Sequence, residues 1–488
     1  MSLLHKLAGQ TAIYGLSSIF GRLLNFLLVP LYTGIFAPEE YGIFSELMAV
    51  VAFVMVVLTY GFETAFFRYA NKEDDVDKAM GTGFISLMCT SLLFLIIASF
   101  FSQSIANLLH VSSQPKFIQW LVYIIVFDVL STLPFAKLRV EQRAWRFASI
   151  RLINIAVNIG LNLFFFLLCP YLLKEGIAVN SIDSIYNPSL GIGYIFISNL
   201  IASAVMLVLL SPEVFKMKLS FNFELWKKMS RYGFPLLIGG LAYVTNEMAD
   251  RLLLEYLLPP ETATAQVGIY SACYKISIFM TLFIQAFRYG AEPFFFAQAE
   301  KKDAKLQYAK VMRYFVAFTG FVFLSINVFI DLIKHFIQNE AYHVGLEVVP
   351  ILLLANLFLG MYYNLSVWYK VSEKTRFGAY ISVFGALITI LFNIILIPTM
   401  SYVGSAWATL ICYASMCLLS FILSRRHYPI SYNWKYISTY LISALFLFYI
   451  WQLWHDDCFI VSSLLCFVYI FGIVMLEKRK KISTLIPK

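Results

Sequence analysis

The stretch GAYISVFGALITILFNIILIP, residues 378–398, runs the thickness of a bilayer without one charged side chain. A helix rising about 1.5 Å per residue needs about 20 apolar residues to cross a hydrocarbon layer about 30 Å thick. Backbone N–H and C=O groups cannot be left unpaired there, so such a segment is a helix, which satisfies them internally. Working outward, the same pattern recurs at 9–33, 42–66, 81–101, 117–137, 147–170, 191–210, 232–258, 266–289, 311–333, 347–369, 402–424, 436–454 and 459–476. The composition agrees: 60% of the 488 residues are hydrophobic and 13% charged, against about 25% charged in a soluble domain. The expected fold class is an all-α membrane protein with about 14 transmembrane helices, and a water-soluble enzyme is excluded.

The first run follows Lys6, holds Arg22 in its middle and lacks a small-x-small cleavage site, so it reads as a retained helix rather than a signal peptide. The 7 cysteines are scattered through apolar runs and form no disulfide framework. The 6 histidines pair with no cysteine or carboxylate at metal-ligand spacing, so neither a metal site nor a bound cofactor is expected.

Basic residues set the orientation. With a cytoplasmic N-terminus, about thirty of them fall on inner segments, and only Lys116, Lys174 and Lys334 fall outside; Arg22, Arg151, Arg251 and Lys275 lie within runs. Both termini are then cytoplasmic. The net charge of +9 follows from this topology and from anionic lipid headgroups, so no nucleic-acid partner is expected. The longest outward loop, Tyr171 to Leu190, is too short for a domain, which places function within the membrane.

The punctuation repeats at half-chain spacing. Pro38-Glu39 before Gly42-Ile43-Phe44-Ser45 matches Pro260-Glu261 before Gly268-Ile269-Tyr270-Ser271. Glu141 through Arg146-Phe147 matches Glu373 through Arg376-Phe377, and Asn162 and Pro170 match Asn393 and Pro398. Both copies start inside, so the repeat is parallel, with a pseudo-twofold axis along the membrane normal. The expected organisation is an N-lobe of six helices (1–212), a cytoplasmic amphipathic linker on the headgroups (213–231), a C-lobe of six (232–424), then two extra helices and a basic tail (425–488).

Ionisable residues near the midplane need a partner or a wet cavity, since each costs about 2.5–3.5 kcal/mol there. Glu46, Glu63 and Arg151 lie near run ends, where side chains snorkel to headgroups. Arg22, Asp128, Glu247, Asp250, Arg251, Glu255 and Lys275 lie deeper. Two readings stay open. In one, they neutralise each other as structural ion pairs, Glu247 with Arg251 and Glu255, and Asp128 with Arg22 or Lys275. In the other, Arg22, Arg251 and Lys275 line a wet cationic cleft that binds an anionic headgroup such as a pyrophosphate. Asp128, Glu247, Asp250 and Glu255 are then candidates for coupling to H+ or Na+, and Pro30 and Pro235, which remove backbone bonds, are candidate gates.

The stretches AGQTAIYGLSSIFGRLLNFLLVPLYTGIFAPEEYGIFSEL (8–47), TYGFETAFFRYANKE (59–73), NEMADRLLLEYL (246–257), GIYSACYKIS (268–277) and FRYGAEPFFF (287–296) carry a family likeness. The chain resembles the Wzx-type oligosaccharide flippases, the polysaccharide biosynthesis proteins of the MATE/MOP exporter superfamily. The resemblance implies MATE-like lobes around a cavity lined by the first, second, seventh and eighth runs, open alternately to each side. It implies an undecaprenyl-pyrophosphate-linked oligosaccharide as cargo, destined for O-antigen, capsule or exopolysaccharide, and an ion gradient as driver. A polysaccharide polymerase, glycosyltransferases and membrane lipids are the implied partners. Arg22, Asp250, Arg251 and Lys275 fall where such flippases place lumenal charges. A MATE-type drug or cation antiporter is the nearest alternative, and would favour an acidic lumen. A membrane glycosyltransferase or ligase would carry acidic or His/Arg groups on a large outward loop, where residues 171–190 offer only Lys174, Glu175 and Asp183.

Overall fold

The structure, a computed structural model, describes residues 20–21, 23–72, 76–177, 179–217, 220–454 and 459–485. They fall into two compact units, Met1–Glu255 and Tyr256–Lys488. Among the described residues the regular elements are all helices, as hydrocarbon demands.

The first unit holds α1 (Leu28–Ile35), α2 (Pro38–Thr59), α3 (Phe62–Lys72), α4 (Val76–Phe100), α5 (Ser102–Leu108), α6 (Pro115–Val140), α7 (Ala144–Leu163), α8 (Gly193–Phe215) and nearly all of α9 (Phe223–Leu257). The second holds α10 (Pro260–Gln298), α11 (Ala304–Val328), α12 (Val348–Leu365), α13 (Arg376–His427), α14 (Trp434–Trp454) and α15 (Phe459–Leu485).

Among the described residues, 11 helical stretches are long and apolar enough to cross a membrane. The 52-residue α13 is one of them, and it contains a break at Ser401, whose φ of 53° separates the two expected runs 378–398 and 402–424. The 35-residue α9 is long enough but carries Glu247, Asp250, Arg251 and Glu255. With α1 these account for the expected about fourteen helices. The chain is a multi-pass membrane protein.

The repeated punctuation has a structural counterpart in each unit. Pro38 and Pro260 each open a helix, where the missing N–H costs nothing, after an extended residue at Ala37 and Pro259. After α6, Gln142 turns left-handed (φ 56°), its N–H bonding Arg139 O at 3.1 Å and the next N–H, of Arg143, bonding Leu138 O at 2.8 Å. Before α13, Glu373 does the same (φ 57°), with bonds to Lys370 O at 3.3 Å and from Lys374 to Tyr369 O at 2.8 Å. This nested pair is the usual way to close orphan helix carbonyls. Asn162 and Asn393 are likewise both fully buried. Asn162 donates to Asn158 O at 2.8 Å and accepts from the Tyr32 hydroxyl at 2.9 Å. Asn393 donates to Thr389 O at 2.7 Å and accepts from the Ser405 hydroxyl at 2.7 Å.

The stretch 213–231 differs from the expected headgroup connector. Its beginning completes α8, and residues 223–231 form the first turns of α9. Asn222 caps that helix, accepting from the Leu225 N–H at 2.8 Å. The apolar face turns inward: Leu225 and Met229 are buried, and the Trp226 indole donates to Ser86 Oγ of α4 at 2.9 Å. The periodicity is amphipathic as read: Leu225 and Met229 pack against protein, while Phe221 and Phe223 are exposed.

Further along α9 the backbone passes close to the junction of α2 and α3. A Cβ on Gly233 would sit 2.6 Å from Tyr60 O, and one on Gly61, which is left-handed at φ +74°, would sit 2.9 Å from Gly233 O. Gly233→Ala is therefore expected to cost about 1–3 kcal/mol, the usual penalty for overpacking, read as a lower apparent melting temperature in detergent. Gly239→Ala, where a Cβ meets nothing within 4 Å, should leave it unchanged.

Candidate functional site

The charged residues that sequence placed inside helices are found in three settings. On α9, Asp250, Arg251 and Glu255 are all buried, at 4%, 5% and 5% exposure. The Arg251 Nη1 donates to Asp250 Oδ1 at 2.6 Å and to the Glu247 carbonyl at 2.7 Å, while the Arg251 backbone N–H reaches the same Oδ1 at 2.9 Å. The guanidinium thus carries a counter-ion from its own helix, and Glu247 contributes its backbone. In low dielectric such a charge-assisted bond fixes the side chain firmly.

On α6, Asp128 lies near Ser203 of α8 and in the field of Arg151 of α7, and its Oδ1 has no hydrogen-bond partner among the described residues. Arg151, expected to snorkel to the headgroups, is exposed, with its guanidinium 4.6 Å from the centre of the Phe135 ring.

Glu46 of α2 departs from the snorkelling expected of it. It is fully buried, and neither carboxylate oxygen has a hydrogen-bond donor among the described residues. Sequence depth misjudged it because α2 begins at Pro38, burying residues that a hydropathy window leaves at the boundary. Glu63, the third of these residues, is half-exposed and pairs with Arg139.

The basic residues that fixed the expected orientation are themselves organised. Lys137, buried within α6, bonds Asp77 at 2.8 Å, and Glu213 of α8 receives Arg143 at 2.9 Å and Arg146 at 2.8 Å. These pairs tie α4, α6, α7 and α8 at one end of the first unit.

In the second unit, Lys275 is half-buried along α10. Sequence reading passed over a cluster farther along that helix: Glu292 accepts from Lys370 at 2.6 Å and lies 3.5 Å from Arg288, whose guanidinium lies 4.1 Å from the Tyr363 ring centre. The Glu292–Arg288 spacing of four residues was a legible signal; the return of Lys370 from a distant helix was not.

Of the gating candidates, Pro30 sits in α1, and the helix preceding it is interrupted by a turn at Leu27, whose N–H is shared between Leu23 O and Leu24 O at 3.2 and 3.1 Å. Pro235 sits exposed inside a continuous α9. Arg22 lies outside the described residues.

Comparison with known families decides where these helices belong. The family model described as "Polysaccharide biosynthesis protein" matches residues 7–295, more than half of the chain. The chain belongs to that family. A second model, MatE, matches residues 235–395. A search of curated proteins finds no match. Among solved structures, the lipid II flippase MurJ in its inward closed conformation is similar over 96% of this chain and 99% of its own, with a TM-score of 0.75 at 15% identity. An inward-facing multidrug-resistance MATE transporter of the MOP superfamily is similar over 86% and 95%, with a TM-score of 0.67 at 13% identity. A MATE transporter in a bent conformation gives 0.58 at 14% identity over 91% and 99%. At these identities the likeness is one of fold. This member of the polysaccharide biosynthesis family therefore has the fold shared by MurJ and the MATE transporters, and its family match takes in Asp128, the charged turns of α9 and Lys275.

Proposed function

We propose that this protein flips undecaprenyl-pyrophosphate-linked oligosaccharide from the cytoplasmic to the outer leaflet of the cell inner membrane, by transport without chemistry. The family match over residues 7–295 carries the reading, and the likeness to a structure titled as a lipid II flippase supports it. The sugar-pyrophosphate head leaves one aqueous side and emerges on the other while the prenyl tail stays in lipid. Arg22, Arg251 and Lys275 supply cationic contacts to the pyrophosphate, with Arg251 held in register by Asp250. Asp128, Glu247, Asp250 and Glu255 are the groups through which an H+ or Na+ gradient would drive the cycle, and Pro30 and Pro235 the points where helices yield. The excess of Lys and Arg on alternate segments supports cytoplasmic termini. Glycosyltransferases that build the cargo and a polymerase that consumes it are the partners this role calls for.

Two observations favour a second reading, a MATE-type cation antiporter: the MatE match and the buried carboxylates of α2 and α9. Reconstituted vesicles separate the two. With a fluorescent undecaprenyl-pyrophosphate oligosaccharide and an external quencher, the protein should speed translocation over empty vesicles, and Lys275→Gln should slow it at least about tenfold, a transition-state loss of about 1.4 kcal/mol. Transport of a cationic dye with no movement of the glycolipid would sink the flippase reading and favour the antiporter.

A further inference from the structure

We propose that Glu46, His110 and Glu255 form a binding site for one divalent metal ion of the zinc class. The three residues come from α2, the turn after α5, and the last turn of α9, all within the first unit. His110 Nδ1 lies 3.6 Å from Glu255 Oε1, and one donor atom from each residue lies within 4.8 Å of the others. Atoms so spaced share a point within about 2.8 Å of each, so metal bonds of about 2.0–2.2 Å need less than an ångström of side-chain adjustment.

A carboxylate–imidazole cluster alone would be an ordinary ion pair. The added observation is Glu46. Its side chain is fully buried in the cluster, and neither oxygen meets a hydrogen-bond donor among the described residues. A buried carboxylate facing a second one, Glu255, is stabilised by a proton or by a cation held between them, and the imidazole beside the pair completes a ligand set for a cation. One imidazole nitrogen and two carboxylate oxygens make a borderline-soft set that prefers zinc to magnesium or calcium, which demand all-oxygen shells. His110 is half-exposed, leaving a solvent-facing side for entry and for a water as fourth ligand. A bound ion would join α2, the α5–α6 turn and α9 at the end of the unit opposite the Lys137 and Glu213 pairs.

The test needs no lipid-linked cargo, so its outcome is separate from that of the transport proposal. The full-length protein, purified in detergent and stripped with a chelator, is titrated with Zn2+ by calorimetry and with Co2+ by visible absorption. The wild type should take up one equivalent of Zn2+ in preference to Mg2+ and gain in melting temperature. His110→Ala, an exposed change that spares the fold, should lose that equivalent or weaken it at least about tenfold. Glu46→Gln should do the same, and should also bleach the Co2+ spectrum. Equal stoichiometry and affinity in wild type and His110→Ala would overturn the proposal, as would the absence of saturable Zn2+ uptake by the wild type.

Discussion

Glu477→Ala should destabilise the protein by about 3 kcal/mol, the lower end of the cost of stranding a buried charge. Glu477 of α15 accepts from Arg313 of α11 at 2.9 Å and from the Tyr440 hydroxyl of α14, so a single carboxylate joins three helices of the second unit. Arg313 is 4% exposed, and its Nε and Nη1 have no hydrogen-bond partner among the described residues, only flanking rings of Tyr314 and Tyr436. A guanidinium cannot shed its charge, so without Glu477 it must remain a buried cation or drag water inward. Glu477 itself is 21% exposed, and this puts the expectation at the lower end. Glu477→Gln keeps an acceptor for both donors and should lose less. The double change Arg313→Met with Glu477→Leu removes both charges and should return near wild-type stability. Melting in detergent, followed by size-exclusion chromatography, measures all three; a double variant as unstable as Glu477→Ala would show that packing rather than charge holds α14 and α15 in place.

Asp250→Asn should cost more than Arg251→Gln, by an asymmetry of chemistry. When the cation goes, Asp250 can take up a proton and become neutral; when the carboxylate goes, Arg251 stays charged within a helix that is buried there. The expected losses are about 3 kcal/mol and about 1–2 kcal/mol, with the double variant milder than their sum by about 1–3 kcal/mol. The same variants separate the two uses of Arg251 that sequence left open. If its guanidinium meets the pyrophosphate, the double variant folds but translocates the labelled glycolipid at least about tenfold more slowly. Double-variant transport at the wild-type rate would make the Asp250–Arg251 pair purely structural and leave Lys275 and Arg22 to carry the cargo.

Much of the architecture was legible because hydropathy accumulates along the chain. Runs such as 378–398 identify spans regardless of their neighbours, and Pro38, Pro260 and the Gln142 and Glu373 turns repeat because each half solves the same helix-ending problem locally. Depth read along a helix also singled out Asp250, Arg251 and Glu255, which the structure buries. Depth failed for Glu46, because a position near a helix end is wet only if nothing packs beside it. Arg313 was not singled out from sequence because its partner Glu477 is far along the chain.

The sequence by itself determined a chain of about fourteen membrane helices in two similar halves, since hydrocarbon leaves an apolar backbone few other ways to satisfy its hydrogen bonds. Only the tertiary structure decided which charges meet. Asp250 faces Arg251, Glu213 meets Arg143 and Arg146, and Glu46, His110 and Glu255 converge from three separate segments. Hydropathy is a sum over neighbours in sequence, whereas an ion pair depends on a few ångströms of separation that only helix packing sets.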